Sequence, residues 1–477
     1  MPSHPFSSLA GPPGVSRRAV LSRLGGSFGG LALAALLGEA HGESPSSPSR
    51  FDVLPRPPHA PARAKSVIQL FMHGGPSHVD LLDPKPMLAR YDGKAPPDEV
   101  ADREKITGNL LKSPFRFARH GQSGLPFSET LPRIAEHADD LAVIRSMYTE
   151  HRNHEQALWM MHTGLIVSGR PSLGSWVTYA LGTENQDLPA YVVLPDPKGL
   201  PVDGIRNWSS GWLPPIYQGT PFRSEGLPVL NLRPKDPRPA EVDQARLALL
   251  GALNDEHKQR HPGELELDAR IASFELAARM QLSATDALNL NTESPETRSL
   301  YGLDNPITRS YGARCLMARR LVERGVRFVQ IFMSGQPWDT HTNNAASTRV
   351  CCDQTDTPIA GLLTDLKRTG LLDQTVVIWG GEFGRTPGAQ GPDGRDHHPF
   401  GFSVWLAGGG IKGGQSYGST DEFGYHATVD RTSVADLHAT ILHLLGLDSQ
   451  HLVFPHNGRD ERLTDVYPAR PILPLLA

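Results

Sequence analysis

The sequence predicts an α/β fold: a largely parallel central sheet with helices on both faces. Three observations predict it. Short continuous apolar runs such as SVIQLFM (66–72) and TVVIW (375–379) have the length of buried strands and lack the alternation of half-exposed ones. Helical patterns lie between these runs, and strand alternating with helix at such connection lengths builds parallel βαβ units. Histidines and carboxylates gather directly after several runs, where the carboxyl ends of parallel strands line up along one edge.

Taken in order, residues 1–45 read as a targeting segment. Arg17-Arg18 precedes a glycine-rich apolar stretch, Leu24–Leu37, too short for a stable membrane span. The pattern is that of a twin-arginine export signal, which predicts a periplasmic or secreted protein. Residues 46–64, rich in Ser, Pro, Arg and Ala, read as a disordered linker. A single domain is expected over 65–477. Its strands are placed at 66–72, 141–147, 190–194, 327–333, 375–379 and 403–407. Helices are expected at 126–138, 154–163, 173–181, 308–323, 357–368 and 433–445, the last capped by Ser433 or Thr432 and stopped at Gly446. Residues 83–125 and 195–238 read as irregular surface, and about 239–287 as a polar helical insertion.

Composition narrows the function. With 47 basic and 51 acidic residues the formal charge is −4, which gives no reason to invoke nucleic acid or a membrane surface. Three cysteines, Cys315, Cys351 and Cys352, are too few for a disulfide framework, and no spacing suits a thiolate zinc site. The 20 histidines are more informative. His73 and His78 follow the first strand, His151 and His154 the second. Asp339 and His341 follow the run ending at Met333; Glu382, His397 and His398 follow the run ending at Trp379. Imidazole and carboxylate together suit a divalent ion, zinc first, with manganese or calcium as alternatives.

Each residue also has a plain structural reading. The plain readings are Asp339 as a turn cap, Glu382 as an ion-pair partner of Arg385, and Asp396-His397-His398 as surface polar residues. His154 serves equally as a buried, satisfied histidine at a helix start. His438 and His443, inside the last helix, read as structural, and Cys351-Cys352 as a loop feature.

The motifs HGGPSHVDLLDPKP (73–86), TEHRNHEQALWMMHTG (149–164), RPSLGSW (170–176), WDTHTNN (338–344), GGEFGRTP (380–387) and GRDHHPFGFSVWLAGGGIKGG (394–414) together resemble domain-of-unknown-function family number 1501, from about residue 65 to 466. That family is similar to the alkaline phosphatase and sulfatase superfamily. The resemblance implies metal ligands at His73, Asp339, His341, Glu382 and His397 or His398. It puts His154 near the nucleophile position, with Thr149 and Thr163 close but displaced. No Cys-x-Pro-x-Arg occurs, so a formylglycine sulfatase mechanism is not available. Attack by water activated at a divalent ion fits instead, with Arg385, or second Arg152, steadying an anionic ester oxygen. The expected function is an exported metal-dependent hydrolase of phosphate or sulfate esters, its substrate a small anionic ester or a sulfated glycan. The alternative is a catalytically degenerate relative that binds a glycan or envelope partner through exposed Trp208, Trp212 and Tyr217.

Overall fold

The computed structural model describes residues 51–100, 107–225, 239–261, 267, 270–277, 279–280 and 288–477. The targeting segment expected at 1–45 lies outside them. The apolar runs do become strands: β1 (Ser66–Phe71), β2 (Leu141–Tyr148), β3 (Tyr191–Leu194), β4 (Thr220–Pro221), β5 (Phe328–Ile331), β6 (Thr375–Gly380), β7 (Gly384–Gln390), β8 (Gly394–His398), β9 (Phe402–Ala407), β10 (Gln415–Tyr417) and β11 (Thr432–Ser433). Nine of them form one sheet in the order β10-β2-β9-β6-β1-β5-β3-β4, with β11 added against β2. β1 pairs in parallel with both β5 and β6, so the strands that deliver His73, Asp339 and Glu382 are immediate neighbours. β9 alone runs against the others, antiparallel to β2 and β6.

Period-two alternation decides the layers. Ile68, Leu70 and Met72 share one cluster with Leu316 and Leu321 of α4 (Arg309–Glu323) and Leu362 and Leu366 of α5 (Asn344–Arg368). Phe71 faces the other way, its ring 4.4 Å from that of His162 in α1 (His154–Thr163). On that face Gln330 donates to Gln69 Oε1 at 2.9 Å and to His162 Nδ1 at 3.1 Å. The helices α2 (Leu173–Leu181) and α6 (Val434–Leu444) begin where expected, and Ser433 and Asp436 form a capping box on α6. The chain is therefore a mixed α/β protein with a largely parallel central sheet and helices on both faces.

Several expectations are corrected. The stretch 46–64, described from residue 51, is ordered against the body from Asp52 onward. Arg56 N–H donates to Leu181 O at 3.0 Å, Ala60 to Gly446 O at 3.0 Å and Ala64 to Leu444 O at 2.9 Å. Backbone groups make the attachment, and composition does not reveal those. Pro126 lies in a hairpin (117–120 with 125–128) rather than a helix, and only Ile134–Asp140 coils, as a 3₁₀ turn. Helix α5 begins at Asn344, thirteen residues before the expected start, because it tolerates Pro358 in its interior. Cys351 and Cys352 consequently sit buried on a helix, not in a loop. The insertion contains α3 (Ala240–Arg260), and part of the expected region lies outside the described residues. No helix among the described residues is long and apolar enough to cross a membrane.

Candidate metal centre

The site forms where β1, β5, β6 and β2 end and a hairpin folds back over them. That hairpin, β7–β8, was not legible, since GRTPGAQGPDGRDHH looks like loop. It pairs Arg385 with His397 and Gln390 with Gly394. Gly394 has no room for a side chain, because a Cβ there would lie 1.8 Å from the His341 carbonyl oxygen. The hairpin is clipped down by Arg395, whose Nε donates to Asp80 Oδ2 at 2.7 Å and Nη2 to Asp80 Oδ1 at 3.0 Å, both groups fully buried. Arg395 also donates to the carbonyls of Thr386, Pro387 and Leu111.

Asp339 is the centre. Its Oδ1 lies 3.0 Å from His341 Nε2 and 3.2 Å from His397 Nε2, and its Oδ2 lies 3.4 Å from His154 Nε2. Each of these imidazoles is anchored through its other nitrogen. His154 Nδ1 donates to Glu382 Oε1 at 2.6 Å. His397 Nδ1 donates to Arg152 O at 2.7 Å, and His341 Nδ1 to Gln390 Oε1. An acceptor on every Nδ1 turns every Nε2 inward, the arrangement that orients histidine for a metal. His341 Nε2 and His397 Nε2 lie 2.9 Å apart. Two inward lone pairs at that distance repel unless a cation or proton lies between them.

Among the described residues, two groups of three have donor atoms close enough to hold an ion: His154, Asp339 and His397, and His341, Asp396 and His397. The fit to a divalent ion rests on this donor set, in which the buried His154 Nε2 faces Asp339 Oδ2 at 3.4 Å. Burial opposes charge on His154, but its bonds to Asp339 and Glu382 win and raise its pKa to about 9. Burial likewise opposes the charge of Asp339. His154 and His397 facing it, with Arg385 beside it, hold this carboxyl well below the usual range.

The remaining residues take other places. Glu382 is fully buried behind His154, accepting from His154 and from the Gly74 N–H at 3.0 Å. Glu382 belongs to neither group of three, whereas His154 belongs to one. Gly74 is required here, since its φ is +110° and a Cβ would lie 2.5 Å from Asp339 N. Arg385 is equally buried and spends its guanidinium on Asp339 Oδ1 at 2.6 Å and on the carbonyls of Gly74, Gly75 and Arg395. It positions Asp339 and has little left for a substrate. His398 points to the opposite side of β8, because strand neighbours alternate; its Nε2 donates to Tyr425 O and its ring stacks on His78 at 6.3 Å. His73 stands at the end of β1 with both ring nitrogens buried and unpartnered, yet belongs to neither group of three. Burial lowers its pKa, Glu382 opposing. Thr149 is buried and its hydroxyl makes no hydrogen bond. Trp208 and Tyr217 are core residues, 1% and 0% exposed, and Trp212 stacks on Phe454 and His456, so no groove of three exposed aromatics forms.

Residues 64–476 match the model of the family described as "Protein of unknown function (DUF1501)". The chain belongs to this family. No curated protein matches it. Among solved structures, this member of the family is similar to the PsFucS1 sulfatase from Pseudoalteromonas sp., with TM-score 0.38 and 15% identity over 87% of this chain and 72% of that one. It is similar to the C-terminal periplasmic domain of EcEptC from Escherichia coli in complex with Zn, with TM-score 0.36 and 9% identity over 88% and 99%. It is also similar to the phosphonate monoester hydrolase SpPMH from Silicibacter pomeroyi, with TM-score 0.33 and 11% identity over 72% and 71%.

Proposed function

We propose that this protein is an exported, metal-dependent hydrolase of phosphate or sulfate esters. One observation carries the proposal: three imidazoles, each anchored through Nδ1, present Nε2 to the single carboxylate of Asp339. The nitrogen-rich donor set favours zinc over manganese or calcium, which prefer oxygen. His154, His397, His341 and Asp339 would hold the ion. A divalent ion supplies Lewis acidity toward an ester oxygen and brings the pKa of water toward neutrality.

The chain's own residues do the rest. Arg385 fixes Asp339, and Glu382 fixes His154. Arg152, whose carbonyl holds His397, is half-buried at the rim and takes the contact with the anionic ester that Arg385 cannot make. Water is the better nucleophile than Thr149, whose hydroxyl has no base hydrogen-bonded to it. Export rests on the Arg17-Arg18 segment, and the substrate on the anion-binding chemistry of the rim: a small anionic ester or a sulfated glycan. Metal analysis of purified protein, followed by assays on p-nitrophenyl phosphate and p-nitrophenyl sulfate, tests the reading. Activity that survives Asp339→Asn and His397→Ala combined would overturn it.

A further inference from the structure

Arg145 on β2 is a half-buried cation with no ion-pair partner among the described residues. Its Nε and Nη2 are buried and make no hydrogen bond. Burial disfavours its charge and Arg119 adds to that, against some help from Asp83. Asp83 is already engaged by Lys85 at 3.0 Å and by the Thr420 hydroxyl at 2.6 Å.

Arg145 lines a groove of about 540 Å³ together with Arg119, Ser123 and Ser416. The other walls are Pro84, Phe117 and further proline, glycine, alanine and leucine, and no carboxylate lines it. Two other cavities differ. The one of about 580 Å³ at the amino ends of the strands has Glu184, Asp187 and Glu323 beside its cations. The small one beside Arg170 and Arg206 has both arginines paired, to Glu461 and Asp465 and to Asp203. Unlike these two, the Arg145 groove brings cationic and hydroxyl donors together with an arginine that has no ion-pair partner among the described residues. A planar guanidinium fork matches the oxygens of a sulfate, phosphate or carboxylate group, and two arginines favour a doubly charged one.

We propose that this groove binds the sulfate or phosphate group of a ligand, with Arg145 as the forked donor, Arg119 at its edge, and the ring-rich wall against the ligand's body. It shares no residue with the metal centre. The test is titration of inorganic sulfate, inorganic phosphate and a sulfated tetrasaccharide into the full chain with chelator present and His397→Ala in the background, at ionic strength held constant with chloride. The chelator and the background substitution keep the result independent of the hydrolase reading. Sulfate should raise the melting midpoint where chloride does not, and Arg145→Met should weaken binding by about tenfold or more. Arg145→Met should also melt higher than its parent without anion, since it removes an uncompensated charge. Arg145→Lys should keep intermediate affinity, and Arg119→Ala, at an exposed position, gives the same reading if Arg145→Met fails to fold. Tetrasaccharide binding tighter than the inorganic ions assigns the groove to an organic ligand, and equal affinities assign it to the free anion. Equal shifts in parent and Arg145 variants, or a chloride effect equal to that of sulfate, overturn the proposal.

Discussion

At Glu382 a single carboxylate ties two segments together, accepting from the Gly74 amide on one side and from His154 on the other. Glu382→Gln keeps the shape and an acceptor but removes the charge that holds His154. Zinc affinity should fall by about 10–100-fold, the usual cost of losing an orienting carboxylate, with the fold retained. Chelator competition followed by circular dichroism measures both. A loss equal to that of His397→Ala would make Glu382 a direct ligand after all. The convergence of Asp339 and His341 was legible because aspartate and histidine two residues apart follow one strand end. The placement of Glu382 behind His154 was not, since it depends on which nitrogen of a ring faces inward.

The hairpin β7–β8 brings Arg385, Asp396 and His397 to the centre, and the buried Asp80–Arg395 pair clips it down. Asp80→Asn leaves a guanidinium uncompensated in the interior, which costs about 3–5 kcal/mol. Urea denaturation should report that loss, and hydrogen exchange should rise first in residues 384–398. Uniform exchange across the sheet would show that the clip serves the whole fold. At this scale the strands of the sheet were readable from apolar runs, and α6 from its cap and terminal glycine. The hairpin was not, because Pro387 and the glycines around it mimic loop composition. Had residues 394–398 been read as a strand, alternation would have sent His397 and His398 to opposite sides.

For the whole molecule, His438 and His162 set an acid limit. Burial lowers their pKa values to about 4 and about 3; each stays neutral in the fold, His438 donating to Met161 O at 2.9 Å. Once unfolded, each takes up a proton below about pH 6.5, so the unfolded chain binds more protons between about 4 and 6.5. The contribution of these two groups is therefore full above that window and falls as pH drops through it, by about 1.4 kcal/mol per group and pH unit at most. Urea midpoints from pH 7 to pH 4.5 should decline, and His438→Gln should flatten part of the decline. An unchanged slope would remove His438 from the account. The imidazole held between two carboxylates has a last consequence, for traffic rather than for shape. With its pKa raised to about 9, His154 carries a proton at neutral pH when no cation is bound. That proton is a placeholder, and an arriving ion must exchange for it. Loading should release about one proton per ion, and apparent affinity should climb about tenfold per pH unit up to about 9. Calorimetry in buffers of different ionisation heat would count the exchange directly, and a zero count would mean that the site loads without giving anything up.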